Sequence, residues 1–188
     1  MISNPFLFLR RIRHSAGFGI QSPSDYAFVR EVIYEHWPYS AYADLEQKYP
    51  DASPVERWKL QLLLRVANWA QTDHIFLFGS NPAMIDYLHA GCSKSFVLPS
   101  PQLPEEMHAV DAMHQLGRRI REMHKPVPGT PYWNTEPLII VDDIQGAGKK
   151  TWEKVKTIHH VITFDLYYVG IAYHRLKRYS EHHVINPY

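Results

Sequence analysis

Apolar positions recur every three or four residues in two segments of the first third of the chain, which predicts amphipathic helices. The first helix is expected from about Tyr26 to His36, after Ser22 as N-cap and Pro23 at the first helical position. The second is expected from Pro54 to about Ala70, with Ser53 as its N-cap. Both helices therefore begin with the same Ser-Pro pair.

Short apolar runs closed by glycine or aspartate predict strands, and the unbroken runs are typical of a parallel sheet buried on both faces. Six segments qualify: 74–79, 95–98, 137–143, 161–167, 170–174 and 183–185. Asn81 and Pro82 start a helix after the first strand, so Gly79 lies at the strand-to-helix turn of a βαβ unit. Further helices are expected at 104–124 and 148–158, with a proline-rich loop at 125–137.

These elements predict an α/β protein with a mostly parallel sheet, a C-terminal antiparallel hairpin formed by 161–167 and 170–174, and an N-terminal helical extension. The 188 residues suit one domain. Within it, we expect residues 1–50 to form the helical extension or lid and residues 51–188 to form the α/β core.

Charge and cysteine content narrow the classes of protein. The chain has 20 basic and 19 acidic residues, which gives no reason to expect a nucleic-acid partner. A lone Cys92 excludes an internal disulfide and favours the reducing cytoplasm. The apolar patch Phe6–Leu9 is too short for a signal peptide or a membrane span, so no membrane partner is expected. We interpret it as a helix or arm packed on the domain, with a short membrane-surface anchor as the alternative.

Other candidate motifs do not lead to a defined chemistry. The twelve histidines contain no HxxxH or HExxH spacing, and the adjacent pairs 159–160 and 182–183 are interpreted as surface residues, so no metal site is expected. No G-x-S-x-G elbow or P-loop occurs, and Gly146–Lys150 is interpreted as a loop that starts a helix. An aromatic cluster forms either a lid or small core or a partner surface; it comprises Tyr34, Trp37, Tyr39 and Tyr42.

Three segments carry a family resemblance. They are Gly17–Pro23, the strand-turn-helix around Gly79, and the stretch from Leu138 to about Tyr188, which includes Trp152 and the Phe164–Gly170 turn. Together they resemble a bacterial family of class I S-adenosylmethionine-dependent methyltransferases of the O-methyltransferase type. The resemblance implies a Rossmann-like class I methyltransferase fold, here in a reduced form.

The resemblance also implies where a cofactor site would lie. In the family, the turn after the first strand holds the amino-acid part of S-adenosylmethionine, which corresponds here to Gly79, Ser80 and Asn81. Metal-dependent members end a later strand in an Asp-Asn pair that binds Mg²⁺, which corresponds to Asp142 and Asp143. We interpret these aspartates as structural groups that cap the following loop and helix, with a ligand or acceptor-side role as the alternative.

The chain departs from the family pattern on the cofactor side. Phe78 replaces the acidic residue before the turn, and Ala83 stands near the place of a later glycine. The second strand ends in Pro99 without the carboxylate that would bind the ribose, and a middle pair of strands is missing. These losses predict that cofactor binding is gone.

We therefore favour a methyltransferase-like protein that has lost cofactor binding and catalysis and acts as a binding or scaffold module, with a homo-oligomer as one expected state. The alternative is an active S-adenosylmethionine-dependent O-methyltransferase on a small molecule. A third hypothesis is a small-molecule binder or another enzyme class that reuses the cleft. A cleft above Gly79 filled by Phe78, Pro82, Tyr132 or Trp133 favours the first hypothesis, and an open polar cleft favours the third.

Overall fold

The sheet of this protein, seen in a computed structural model that describes residues 5–99, 137–175 and 178–187, has six strands. They are β1 (His74–Phe78), β2 (Phe96–Pro99), β3 (Leu138–Asp142), β4 (Val161–Asp165), β5 (Val169–His174) and β6 (Glu181–Val184). The spatial order is β2-β1-β3-β5-β4-β6, and β5 alone runs antiparallel to its neighbours. The predicted α/β class, mostly parallel sheet and C-terminal hairpin are confirmed.

Helices lie on both sides of the sheet. They are α1 (Pro5–Arg11), α2 (Pro23–Phe28), α3 (Ala41–Lys48), α4 (Pro54–Ala70), α5 (Pro82–Gly91) and α6 (Lys149–Lys156). The N-terminal helical extension is confirmed, although α3 was not predicted. The expected helix at 104–124 and nearly all of the loop at 125–137, with Tyr132 and Trp133, lie outside the described residues. No described helix combines the length and the apolar composition that crossing a bilayer requires.

Predicted caps start three of these helices. The side chain of Ser22 accepts the N–H of Asp25, Ser53 accepts that of Glu56, and Asn81 accepts that of Ala83. Each cap precedes a proline at the first helical position, where a missing N–H costs nothing.

The helix that was predicted to continue to His36 ends earlier than expected. α2 passes into a single π-helical turn, Val29–Ile33, and helical structure ends before Trp37. The buried Arg65 explains this end, because its guanidinium donates hydrogen bonds to the carbonyls of Val32 and Ile33. These carbonyls therefore need no further helical turn to satisfy them.

Alternate side chains of β1 to β5 pack into two cores on opposite faces of the sheet. The larger core lies under α2, α4 and α5, and the smaller one lies under α6. Trp152 of α6 packs directly on Gly170 of β5, where an added Cβ would lie 2.5 Å from the indole ring. Their contact joins α6 to the C-terminal hairpin.

The aromatic cluster after α2 divides between core and surface. Tyr34, Tyr39 and Tyr42 are partly buried and pack against the larger core, whereas Trp37 is 73% exposed. The rings of Tyr39 and Tyr42 are 5.4 Å apart. Three of the four residues thus extend the larger core and do not form a separate small one.

Candidate functional site

The carboxyl ends of β1 and β3 lie side by side and bring the two groups of sequence-predicted site residues together. Phe78 pairs with Val141, so Gly79 and Asp142 follow at the same edge of the sheet. A Cβ added to Gly79 would lie 3.1 Å from both the Cβ of Asp142 and the sulfur of Met84. In open α/β sheets this edge is the usual place for ligands.

A lysine from α4 bridges this edge. The Nζ of Lys59 lies 2.6 Å from Oδ1 of Asp142 and 2.8 Å from Oε2 of Glu56. The other carboxylate oxygen of Glu56 accepts a hydrogen bond of 2.7 Å from the side-chain amide of Asn81. We call Asn81, Glu56, Lys59 and Asp142 the Lys59 network.

Electrostatics favour the charged form of the central lysine. Lys59 is only 8% exposed, and burial alone would lower its pKa. The hydrogen bonds to Asp142 and Glu56 outweigh that effect and raise the pKa of Lys59 above its ordinary value. The network therefore holds one ammonium between two carboxylates at neutral pH.

Asp143 has a different set of partners from Asp142. Its Oδ2 accepts the N–H of Ala147 at 2.8 Å, and its carbonyl accepts the N–H groups of Gly146 and Gly148. Its φ of +47° is in the left-handed region, which aspartate tolerates better than most residues. Asp143 thus organises the loop into α6, and it does not share a ligand position with Asp142.

The carboxylate oxygens at this edge are not arranged as ligands for Mg²⁺. Magnesium requires octahedral oxygen ligands, but one oxygen of Asp142 binds an ammonium and one oxygen of Asp143 binds a backbone N–H. The turn fits S-adenosylmethionine no better. The side chain of Asn81 is divided between the cap of α5 and Glu56, and Pro82 has no N–H to offer. Ser80 is exposed at this turn.

A cavity of about 470 Å³ lies next to the Lys59 network, between the end of α3 and the starts of α4 and α5. Neither Phe78 nor Pro82 lines it, because Phe78 packs in the smaller core and Pro82 faces solvent. The lining is largely polar and includes Lys48, Tyr49, Asp51, Ser53, Glu56 and Asn81. The cavity could admit a small polar molecule.

A second charged cluster lies at the opposite end of the sheet, where β6 begins. Arg178 donates two hydrogen bonds to the buried carboxylate of Asp25, at 2.7 and 2.8 Å, and a third to Glu181 at 2.6 Å. The Nε2 of His183 lies 3.1 Å from Oδ2 of Asp25. We call these four residues the Arg178 cluster.

Burial would raise the pKa of Asp25, but hydrogen bonds from His183 and Arg178 hold it far below its ordinary value. Asp25, Glu181 and His183 are close enough to share a metal ion. Arg178 nevertheless binds the oxygens that an ion would need, so the cluster is explained as an ion-pair network.

The sequence analysis interpreted four histidines of two adjacent pairs as surface residues. This was wrong for His183, whose side chain is only 13% exposed, whereas His159, His160 and His182 are exposed. Sequence reasoning also missed Glu56 and Lys59. The signal was present, since Lys59 lies three residues before Leu62 and four before Leu63, on the apolar face of a predicted helix. A lysine in such a stripe needs a buried acid as partner.

Comparison with known proteins gives no relative from which a role could be transferred. No protein-family model matches the chain, and no curated protein and no solved structure matches it either.

Proposed function

We propose that this chain is a methyltransferase-like binding or scaffold module that neither binds S-adenosylmethionine nor catalyses methyl transfer. The observation that carries the proposal is the Lys59 network. The polar groups that the resemblance assigns to cofactor and metal, Asn81 and Asp142, bind the chain's own Glu56 and Lys59.

The energetics of the network oppose its use as a ligand site. Breaking the Lys59–Asp142 ion pair costs about 2 kcal/mol, because the carboxylate is partly exposed and can regain water. That cost corresponds to roughly 30-fold in affinity for a ligand that must separate the two groups. The turn offers little in return, because Pro82 lacks an N–H and Phe78 stands where the family has an acid.

The retained motif residues support descent from a methyltransferase frame. Trp152 and Gly170, both part of the resemblance, contact each other between α6 and β5. A packing role explains why such residues would persist after the chemistry was lost. The mostly parallel sheet with its C-terminal hairpin is compatible with a reduced Rossmann-like fold.

Calorimetric titration with S-adenosylhomocysteine tests the proposal. The wild-type protein and a Lys59→Met variant are titrated in parallel after circular dichroism has shown that both are folded. We expect no heat of binding to either at millimolar ligand. Micromolar binding by the wild type would overturn the proposal and favour an active O-methyltransferase. Binding by the variant but not by the wild type would show that the ion pair of Lys59 is by itself enough to prevent cofactor binding.

The cavity beside Asn81 favours one second candidate, a small-molecule binder that reuses the cleft. Its polar lining suits a small polar metabolite. A thermal-shift screen of such compounds is the experiment, with Asp51→Trp to fill the cavity and Lys94→Trp as an exposed control outside its lining. A stabilising compound whose effect is lost only in Asp51→Trp supports this function. A screen without any such compound removes it.

A further inference from the structure

The segment of residues 5–18 exposes a concentration of large apolar side chains. Half of the large apolar side chains that are exposed in the described residues lie within it. Phe6 is 83% exposed, Phe18 79% and Leu9 64%, while Leu7 is buried. The expectation that the apolar patch packs on the domain therefore holds for one residue of Phe6–Leu9 only. We call the exposed set the N-terminal patch: Phe6, Phe8, Leu9, Ile12 and Phe18.

The segment is fixed to the domain. Arg11 forms an ion pair of 2.7 Å with Asp165 and donates further hydrogen bonds to the carbonyls of Asp165 and Ile185. Leu7, one turn earlier on the same face of α1, is buried. The apolar side chains of the opposite face are thereby held outward, toward solvent.

Positive charge surrounds the N-terminal patch. Arg10 and Arg13 are exposed, and neither has a carboxylate partner within the described residues. No acidic residue occurs between positions 5 and 24. A cavity of about 210 Å³ beside α1 is lined by Arg10, Arg11, His14, Gln145, Tyr167 and Val184. The surface thus combines apolar groups with donors suited to a phosphate.

We propose that the N-terminal patch docks on an anionic phospholipid surface, with its apolar side chains in the headgroup–acyl boundary and lipid phosphates bound by Arg10, Arg13 and the adjacent cavity. A helix of seven residues can lie in that boundary but is far too short to span it. Each arginine near an anionic surface and each buried apolar side chain adds to such binding.

Charge decides against a second copy as the occupant. In a symmetric dimer the same patch faces itself, which would bring the unpartnered Arg10 and Arg13 of one copy close to those of the other. Like charges at such an interface oppose association, whereas phosphodiester headgroups neutralise them.

Vesicle co-sedimentation of the full chain tests the proposal. The vesicles contain phosphatidylcholine alone or equimolar phosphatidylcholine and phosphatidylglycerol. We expect binding to the anionic vesicles only, weakened by added salt. Arg10→Gln with Arg13→Gln should weaken it about 30-fold. Phe6→Ser with Leu9→Ser should weaken it about 100-fold.

Matched controls keep the result specific. Trp37→Ser removes an equally exposed aromatic ring elsewhere, and Lys94→Gln removes an exposed cation, so both should bind vesicles as the wild type does. Absence of wild-type binding to anionic vesicles overturns the proposal, as does equal binding to neutral ones. It is also overturned if the wild type dimerises without lipid and Phe6→Ser with Leu9→Ser abolishes the dimer, since a second copy would then cover the patch.

Discussion

The Lys59 network and the Arg178 cluster have the same arrangement of charges, because each places a cation between two carboxylates. They differ in position. The Lys59 network lies at the carboxyl end of the sheet, where ligands bind in open α/β folds, and the Arg178 cluster lies at the amino end of β6. The Arg178 cluster joins segments 153 residues apart in the chain. Under the proposed function, the same charge pattern blocks a ligand site in one place, and in the other it holds distant segments of the fold together.

Their chemistry also differs with pH. The pKa of Asp25 is lowered in the folded state, so its stabilisation is present above about pH 4 and is lost as pH falls through the folded pKa. The pKa of Lys59 is raised, so its stabilisation is present below about pH 10 and is lost as pH rises through the folded pKa. The Arg178 cluster is thus the acid-sensitive one and the Lys59 network the alkali-sensitive one.

Arg178→Met is expected to have the largest effect, a loss of about 3 kcal/mol in the free energy of unfolding. The variant removes two strong guanidinium bonds from the buried carboxylate of Asp25, which keeps only weaker hydrogen bonds from His183 and from the hydroxyl of Ser24. Urea unfolding at neutral pH measures the loss. Arg30→Met, at an exposed position on the π-helical turn, should change stability by less than about 0.5 kcal/mol. Equal losses of stability in the two variants would contradict a role of the Arg178 cluster in stabilising the fold.

Lys59→Met should cost about 2 kcal/mol, less than the arginine variant because Asp142 and Glu56 are partly exposed and can regain water. Adding Asp142→Asn removes one of the two unpaired charges, so the double variant should recover about half of the loss. Urea unfolding of the full double-mutant cycle measures the coupling between the two residues. Strictly additive losses would show that the ion pair contributes nothing.

The sequence predicted the frame of the molecule better than its charged clusters, for a physical reason. Caps at Ser22, Ser53 and Asn81 and unbroken strand runs are local signals, and the structure has them where they were expected. The long-range ion pairs depend on contacts between distant segments, such as Lys59 with Asp142. Local spacing can indicate that Lys59 is buried, but it does not reveal which distant acid binds it. The end of α2 has the same origin, because its carbonyls are bound by the distant Arg65.

The exposure of the N-terminal patch also depends on contacts between distant segments of the chain. The segment was expected to form a helix or arm packed on the domain, but its sequence does not show which side chains are buried. That choice is made by the bonds of Arg11 to Asp165 and Ile185, which lie near the other end of the chain.

At alkaline pH, the stability loss caused by Lys59→Met should shrink by about 1 kcal/mol, whereas the loss caused by Arg178→Met should not change. As pH rises through the folded pKa of Lys59, the wild type loses the ion-pair energy that Lys59→Met never had. The stability gap between them at pH 7 should therefore narrow by about 1 kcal/mol near pH 11, whereas the gap for Arg178→Met should stay constant. Urea unfolding across that range measures both gaps. A gap for Lys59→Met that does not narrow would contradict an ammonium at the centre of the network.

Gly79→Ala should have the smallest effect, a loss of about 1 kcal/mol or less. The added Cβ would lie 3.1 Å from both Asp142 and Met84, so these neighbours must shift by a few tenths of an ångström. Part of the cost is offset because alanine reduces the conformational freedom of the unfolded chain. Gly170→Ala is the matched comparison, and its clash at 2.5 Å with Trp152 should cost more.

Measured in the Lys59→Met background, the Gly79→Ala loss should shrink, since Asp142 is then free to move away from the new methyl group. An unchanged loss in both backgrounds would mean that Gly79 packs independently of the Lys59 network. A stabilising effect of alanine would mean that glycine is not required there for packing. If alanine stabilises the protein, the chain keeps Gly79 at a cost in stability, as expected of a residue that still binds a ligand. That result would favour a binding site at the carboxyl end of β1.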